Sequence, residues 1–157
     1  MSIEIERKFL VLNDSFKSES NKKSYIKQGF LNSNKDRVVR IRIIDDTGFI
    51  TVKGISSKDG TSRFEWEKEI LLKEAQNLLI LCEEGIIEKS RYFIKIDNFT
   101  YEIDVFEGIN KGLTVAEIEL NTVFEKFKKP LWIGKEITGL TKYYNSELSK
   151  HPFTKWS

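Results

Sequence analysis

Eight segments of this chain alternate apolar and polar residues with period two, and their polar positions are mostly charged. Successive strand side chains point to opposite faces, so the pattern predicts antiparallel strands over 2–11, 24–31, 37–45, 48–54, 61–70, 89–96, 99–107 and 114–121. Asp46-Thr47-Gly48, Asp59-Gly60, Asp97-Asn98 and the Gly108 to Gly112 segment supply the turn residues between them. Helical spacing at Leu71, Ala75, Leu78, Leu79 and Cys82, stopped at Gly85, predicts one helix with Cys82 in the core. Short helices are predicted at 122–128, before Pro130, and at 138–149. The class is therefore α+β, mainly antiparallel β. Its 157 residues, 39% hydrophobic and 32% charged, fit a single domain over 1–157.

Sorting each strand by parity separates the charges from the apolar residues. Glu4, Glu6 and Lys8 oppose Ile3, Ile5 and Phe9, while Arg40 and Arg42 oppose Val39, Ile41 and Ile43. Lys53 opposes Val52, and Arg63, Glu65 and Glu67 oppose Phe64 and Trp66. Lys89 and Arg91, Glu102 and Asp104, and Glu117 and Glu119 follow the same rule, which places seven basic and eight acidic residues on one face. A solvated sheet face accounts for alternation, but not for like charges paired along single strands. Two such charges about 7 Å apart repel by roughly 2.4 kcal/mol at an effective dielectric of about 20. Something external is expected to neutralise them.

The remaining composition narrows the candidates. A single cysteine and a single histidine, His151 in a polar tail, support neither a disulfide framework nor a Cys/His zinc site nor a Cys–His nucleophile pair. A net charge of +2 is too balanced for a protein that attracts nucleic acid by its overall field. No apolar run approaches the roughly 18 residues that span a bilayer, so a cytoplasmic location without membrane association is expected, as monomer or homodimer. Clustered carboxylates are neutralised by hard divalent cations and clustered Arg and Lys by phosphates. Together they call for a metal–polyphosphate ligand. There is too little helix for a large outer shell on both sides, and about eight antiparallel strands can close into a barrel with the charged face inward; parity alone still allows an open sheet with helices on its apolar side.

Glu4-Ile5-Glu6-Arg7-Lys8 resembles the ExExK signature of the CYTH domain, the triphosphate tunnel metalloenzyme family. The resemblance runs on through Gln28-Gly29-Phe30-Leu31, Val39-Arg40-Ile41-Arg42, Thr51-Val52-Lys53-Gly54, Arg63-Phe64-Glu65-Trp66-Glu67 and Lys89-Ser90-Arg91-Tyr92. It continues in Glu102-Ile103-Asp104-Val105-Phe106, the stretch from Gly112 to Leu120, Gly134-Lys135-Glu136-Ile137-Thr138 and Tyr144-Asn145. It implies an eight-stranded closed tunnel with a charged lumen and a few peripheral helices. It implies further that the lumen binds a triphosphate with one or two Mg²⁺ or Mn²⁺ ions. By position Lys8, Arg40, Arg42, Lys53, Lys89, Arg91 and Arg63 match phosphate ligands. Glu4, Glu6, Glu117 and Glu119 match metal carboxylates, with Glu65, Glu67 and Asp104 in supporting positions. Phe30 departs from the family, which often carries Tyr there, so any role of that hydroxyl is missing.

The implied reaction is metal-dependent hydrolysis of tripolyphosphate to pyrophosphate and phosphate, because the chain shows no added aromatic pocket for a base or thiazolium ring. Lys8 with Glu4 and Glu6 forms the expected catalytic set, one of the two glutamates orienting the attacking water. A nucleotide or thiamine triphosphatase or a class IV adenylyl cyclase is the enzymatic alternative. A non-catalytic polyphosphate-binding module is the other.

Overall fold

The computed structural model describes residues 2–157; Met1, the first residue of the anticipated domain, lies outside them. In chain order the strands are β1 (Ser2–Val11), β2 (Lys22–Asn32), β3 (Val38–Ile44), β4 (Thr47–Ser56), β5 (Ser62–Ile70), β6 (Ile87–Ile96), β7 (Phe99–Phe106), β8 (Thr114–Glu119) and β9 (Ile133–Glu136). The helices are α1 (Leu72–Ile80) and α2 (Asn145–Lys150), with short 3-10 turns between elements. All eight anticipated strands are present, each end within two residues of its expected place. Their order is β5-β4-β3-β2-β6-β7-β8-β1-β9, and β5 pairs again with β1, so β1 to β8 close into an antiparallel barrel. Closure decides between the two architectures that parity left open.

β1 carries the closure. Its first residues pair with β5, Glu4 opposite Arg63, its later ones with β8, Lys8 opposite Glu117, and Phe9 and Val11 also pair with β9. β9 was not anticipated, because four residues with a glycine at the second position carry no readable alternation.

The apolar parity faces outward and is buried by loops more than by helices. Phe9, Tyr101, Ile103, Ala116 and Ile118 pack with Phe16 of the first 3-10 turn and with Trp132. On another flank α1 lies against β2, β3 and β4. The approach is closest at Gly48, where a Cβ would come within 2.6 Å of the Ala75 Cβ. At one end of the barrel the inward parity itself turns apolar. Phe30, Ile87, Phe106 and Val115 fill the lumen there around Leu148 of α2. Among the described residues no helix is long and apolar enough to cross a membrane.

Three local expectations fail. Residues 122–128 are not helical: Glu125 closes one turn onto Thr122, and Phe127 then packs edge-on against Phe9, Phe99 and Tyr101. The Tyr101 hydroxyl donates to the Lys128 carbonyl, so tertiary contacts hold extended what spacing alone read as helix. The predicted 138–149 helix is broken. Gly139 takes φ +78° against Gly60, a 3-10 turn spans Thr141–Tyr143, and Tyr144 is extended before α2 begins. Cys82 lies beyond the end of α1 and is only half-buried, with its Sγ near the Leu78 carbonyl.

Candidate active site

The inward parity lines a cavity of about 240 Å³. Every residue predicted from the sequence to bind phosphate is in its wall: Lys8, Arg40, Arg42, Lys53, Arg63, Lys89 and Arg91. Of the predicted carboxylates, Glu4, Glu6, Glu65, Glu67, Glu117 and Glu119 join them. Asp104 does not. It is buried behind the wall, where its carboxylate receives Arg91 Nε and Nη2 at 2.7 and 2.9 Å and the Lys89 ammonium at 2.8 Å. Burial would raise its pKa, but the Arg91 and Lys89 charges hold it well below the usual carboxylate range.

Much of the like-charge repulsion expected along single strands is answered across strands. Lys8 sits between Glu6 at 3.6 Å and Glu117 at 3.5 Å, and Lys53 between Glu4 at 3.5 Å and Glu65 at 3.8 Å. Burial opposes the Lys8 charge, yet Glu117 and Glu6 outweigh it and raise the pKa. The terminal Nη2 of Arg40 reaches Thr51 Oγ1 at 3.1 Å and Glu67 at 3.4 Å, and the Thr51 hydroxyl donates to Glu67 at 2.7 Å. Arg63 differs from the other basic residues: its Nε and Nη2 donate to the backbone carbonyls of Gly54 and Lys35.

The least compensated charges fall into two groups. Arg42 makes no ion pair among the described residues, and burial, then Arg40 and Arg91, depress its pKa well below the arginine value. Arg40 is shifted down chiefly by burial, and its buried Nε has no hydrogen-bond partner. On the other side Glu119 stands directly across from Glu6, and Glu102 across from Glu117. Burial first, then Glu4, Glu102 and Glu6, raise the Glu119 pKa. Glu102, on the charged parity but assigned no role from the sequence, is raised by burial and by Glu117 despite Arg91. Arg40 keeps one contact to Glu67 and Glu102 one to Arg91 at 3.5 Å, which leaves Arg42 without an anion and Glu119 without a cation among the described residues.

All the donors in the acidic group are carboxylate oxygens, which suit a hard divalent ion. Among the described residues no three acids, histidines or cysteines are drawn together tightly enough to hold a metal by themselves. Magnesium is commonly bound in this way, by one or two carboxylates with water and substrate phosphates completing its shell. The residues present fit such an ion.

Sequence reasoning matched Tyr144-Asn145 to the family but gave the C-terminal segment no part in the site. Tyr144, Asn145 and Ser146 also line the cavity. The Tyr144 ring lies under the Lys8 ammonium at 4.8 Å and beside the Arg63 guanidinium at 5.8 Å, and its hydroxyl is 3.2 Å from Ser56 Oγ. Asn145 accepts from Lys89 and from Gln28. The signal available was the match of Tyr144-Asn145 and of Gln28 to the family motifs, which assigned them no role.

The CYTH domain family model matches residues 2–152. An inorganic triphosphatase of Acetivibrio thermocellus is 47% identical over 98% of this chain and 97% of its own length. Another, of Nitrosomonas europaea, is 33% identical over 93% of this chain and 96% of its own. The crystal structure of an inorganic triphosphatase, 29% identical, superposes with a TM-score of 0.66 over 93% of this chain and 97% of that one. The barrel, the ordered charged motifs along its inner wall and these similarities over nearly the full length all agree: the chain belongs to the CYTH domain family.

Proposed function

We propose that this protein is a divalent-metal-dependent triphosphatase that hydrolyses tripolyphosphate to pyrophosphate and phosphate. The observation that carries this is a cavity holding at once a guanidinium, Arg42, and a carboxylate, Glu119 opposite Glu6, that make no ion pair among the described residues. Seven basic and seven acidic residues line the wall, so a polyanion adds several negative charges to a balanced site. Cations must therefore enter with it. A divalent metal goes with membership of this family, and Mg²⁺ or Mn²⁺ suits the all-oxygen donors of Glu4, Glu6, Glu117 and Glu119.

Arg40, Arg42, Lys53, Lys89 and Arg91 would hold the phosphate oxygens, and Lys8 would place its charge where negative charge grows at the transferring phosphoryl group. Glu4 or Glu6 would orient a water in line with the scissile bond and take its proton as the P–O bond forms and the bridging P–O bond breaks. A bound divalent ion supplies Lewis-acid polarisation of the phosphoryl oxygens. Asp104, with both oxygens occupied, keeps Lys89 and Arg91 in place, and Arg63 ties β5 to β4 and to the β2–β3 loop.

Size favours a bare polyphosphate over a nucleotide or thiamine ester. The cavity of about 240 Å³ is smaller than the roughly 300–1,000 Å³ of typical organic-ligand pockets. Its one large aromatic besides Phe30, Tyr144, is already occupied by Lys8 and Arg63. The single free thiol and a soluble anionic substrate favour the cytoplasm. Phosphate release from tripolyphosphate, ATP and thiamine triphosphate, each with Mg²⁺, Mn²⁺ or excess EDTA, tests the proposal. Tripolyphosphate should be turned over fastest and EDTA should abolish it. Turnover undiminished by EDTA, or binding without turnover, would overturn it.

A further inference from the structure

Lys89 on β6 and Arg42 on β3 are separated by β2, yet one hydrogen-bond chain joins them. Lys89 Nζ donates to Asn145 Oδ1 at 2.9 Å, Gln28 Nε2 donates to the same oxygen at 3.1 Å, and Arg42 Nε donates to Gln28 Oε1 at 2.7 Å. Both ends of this chain are cations, which donate and never accept. The Asn145 atom facing Lys89 must therefore be its oxygen. Gln28 must turn its NH₂ toward that oxygen, which leaves its own oxygen for Arg42. No other orientation of either amide satisfies both ends. Gln28 and Lys89 are fully buried and Arg42 nearly so, so a broken link strands a donor away from water.

We infer that Asn145 is a positioning residue of the phosphate site. It aims the Lys89 ammonium directly and, through Gln28, holds Arg42 by Nε so that the two terminal nitrogens of the guanidinium are left for the ligand. This rests on the triphosphate reading above. Asn145 belongs to the C-terminal segment, so the barrel wall is electrostatically complete only when α2 is seated.

The test compares Asn145→Ala, Gln28→Ala and the double variant in the full chain. It measures kcat and KM for tripolyphosphate, melting temperature, and solvent exchange of the Gln28 side-chain amide by NMR. Each single change should lower kcat/KM by about tenfold to a hundredfold. The double variant should lose little beyond the worse single one, because a chain broken once is broken. Gln28 amide exchange should accelerate at least about tenfold in Asn145→Ala, as expected for a lost buried hydrogen bond. Asn145→Asp, which keeps an acceptor for both donors, should retain the protection and serves if the alanine variant does not fold. Losses that multiply, unchanged Gln28 exchange, or a lower melting temperature with unchanged kcat/KM would each overturn the assignment. If the wild-type protein does not turn over tripolyphosphate, the functional reading fails alone; Gln28 exchange and calorimetric tripolyphosphate affinity still decide the role of Asn145.

Discussion

Asp104 and Glu119 lie on the same parity, and their surroundings push them in opposite directions. Asp104 is buried between two cations that hold it ionised. Its contribution to stability is complete above its unfolded pKa of about 3.9 and is lost as pH falls toward its depressed folded value. Asp104→Asn leaves Lys89 without a carboxylate and Arg91 with only the half-exposed Glu102 at 3.5 Å, and should cost about 3–5 kcal/mol, a melting temperature lower by roughly 6–20 °C in a chain of this size. Glu119 is the reverse case: its folded pKa is raised, so its ionisation draws stability from the fold as pH climbs past about 4.3. Metal-free Glu119→Gln should therefore melt above the wild type at pH 7, with the gap closing below about pH 4; a gap independent of pH would refute this. Parity placed both residues on the inner face correctly, because face is a property of a single strand. Depth is not, and no local pattern reveals that Asp104 stands behind the wall or that Arg63 turns Nε and Nη2 to backbone carbonyls. Those depend on which strands become neighbours.

At the scale of elements, the strands were legible because each carries its own alternation, whereas the failures lie where tertiary contacts override spacing. Residues 122–128 lack a helix because Phe127 and Lys128 are claimed by the aromatic cluster around Tyr101. The C-terminal segment is broken at Gly139 because the Asp59-Gly60 turn packs directly onto it, a contact between distant parts of the chain. A Cβ on Gly60 would sit 2.2 Å from the Gly139 Cα, and Gly60 itself has φ +78°. Gly60→Ala should therefore lift the 138–150 segment as well as strain the turn. Faster cleavage within that segment under limited proteolysis, with the barrel strands still protected, is the expected result; protection like that of the wild type would count against it. Tyr144 and Asn145 entered the reading only as residues matching a pattern, since nothing in their spacing shows that they turn inward.

For the whole molecule, the unpaired Arg42 and Glu119 make ligand and fold interdependent. A ligand that binds only the folded state stabilises it by about 2.7 kcal/mol at a concentration 100 times its dissociation constant, roughly 5–11 °C in a thermal scan. Tripolyphosphate with Mg²⁺ should produce such a shift and orthophosphate a much smaller one, since only a linear chain of phosphates spans basic residues on separate strands. Equal shifts from tripolyphosphate, orthophosphate and sulfate would contradict the site. β1 adds a temporal consequence. The strand that bears Glu4, Glu6 and Lys8 leaves the ribosome before all of its partners, Arg63 of β5, Glu117 of β8 and Glu136 of β9. At about 5–20 residues per second, roughly 7–26 s pass before the last of them is made. During that interval β1 has an unpaired edge and a cluster of charges with no counterpart, and pairings so distant in sequence form slowly. Nascent chains arrested before residue 130 should leave β1 open to protease, and chains extended past α2 should protect it. β1 is thus made before every strand that secures it, so a partly made chain has no closed cavity.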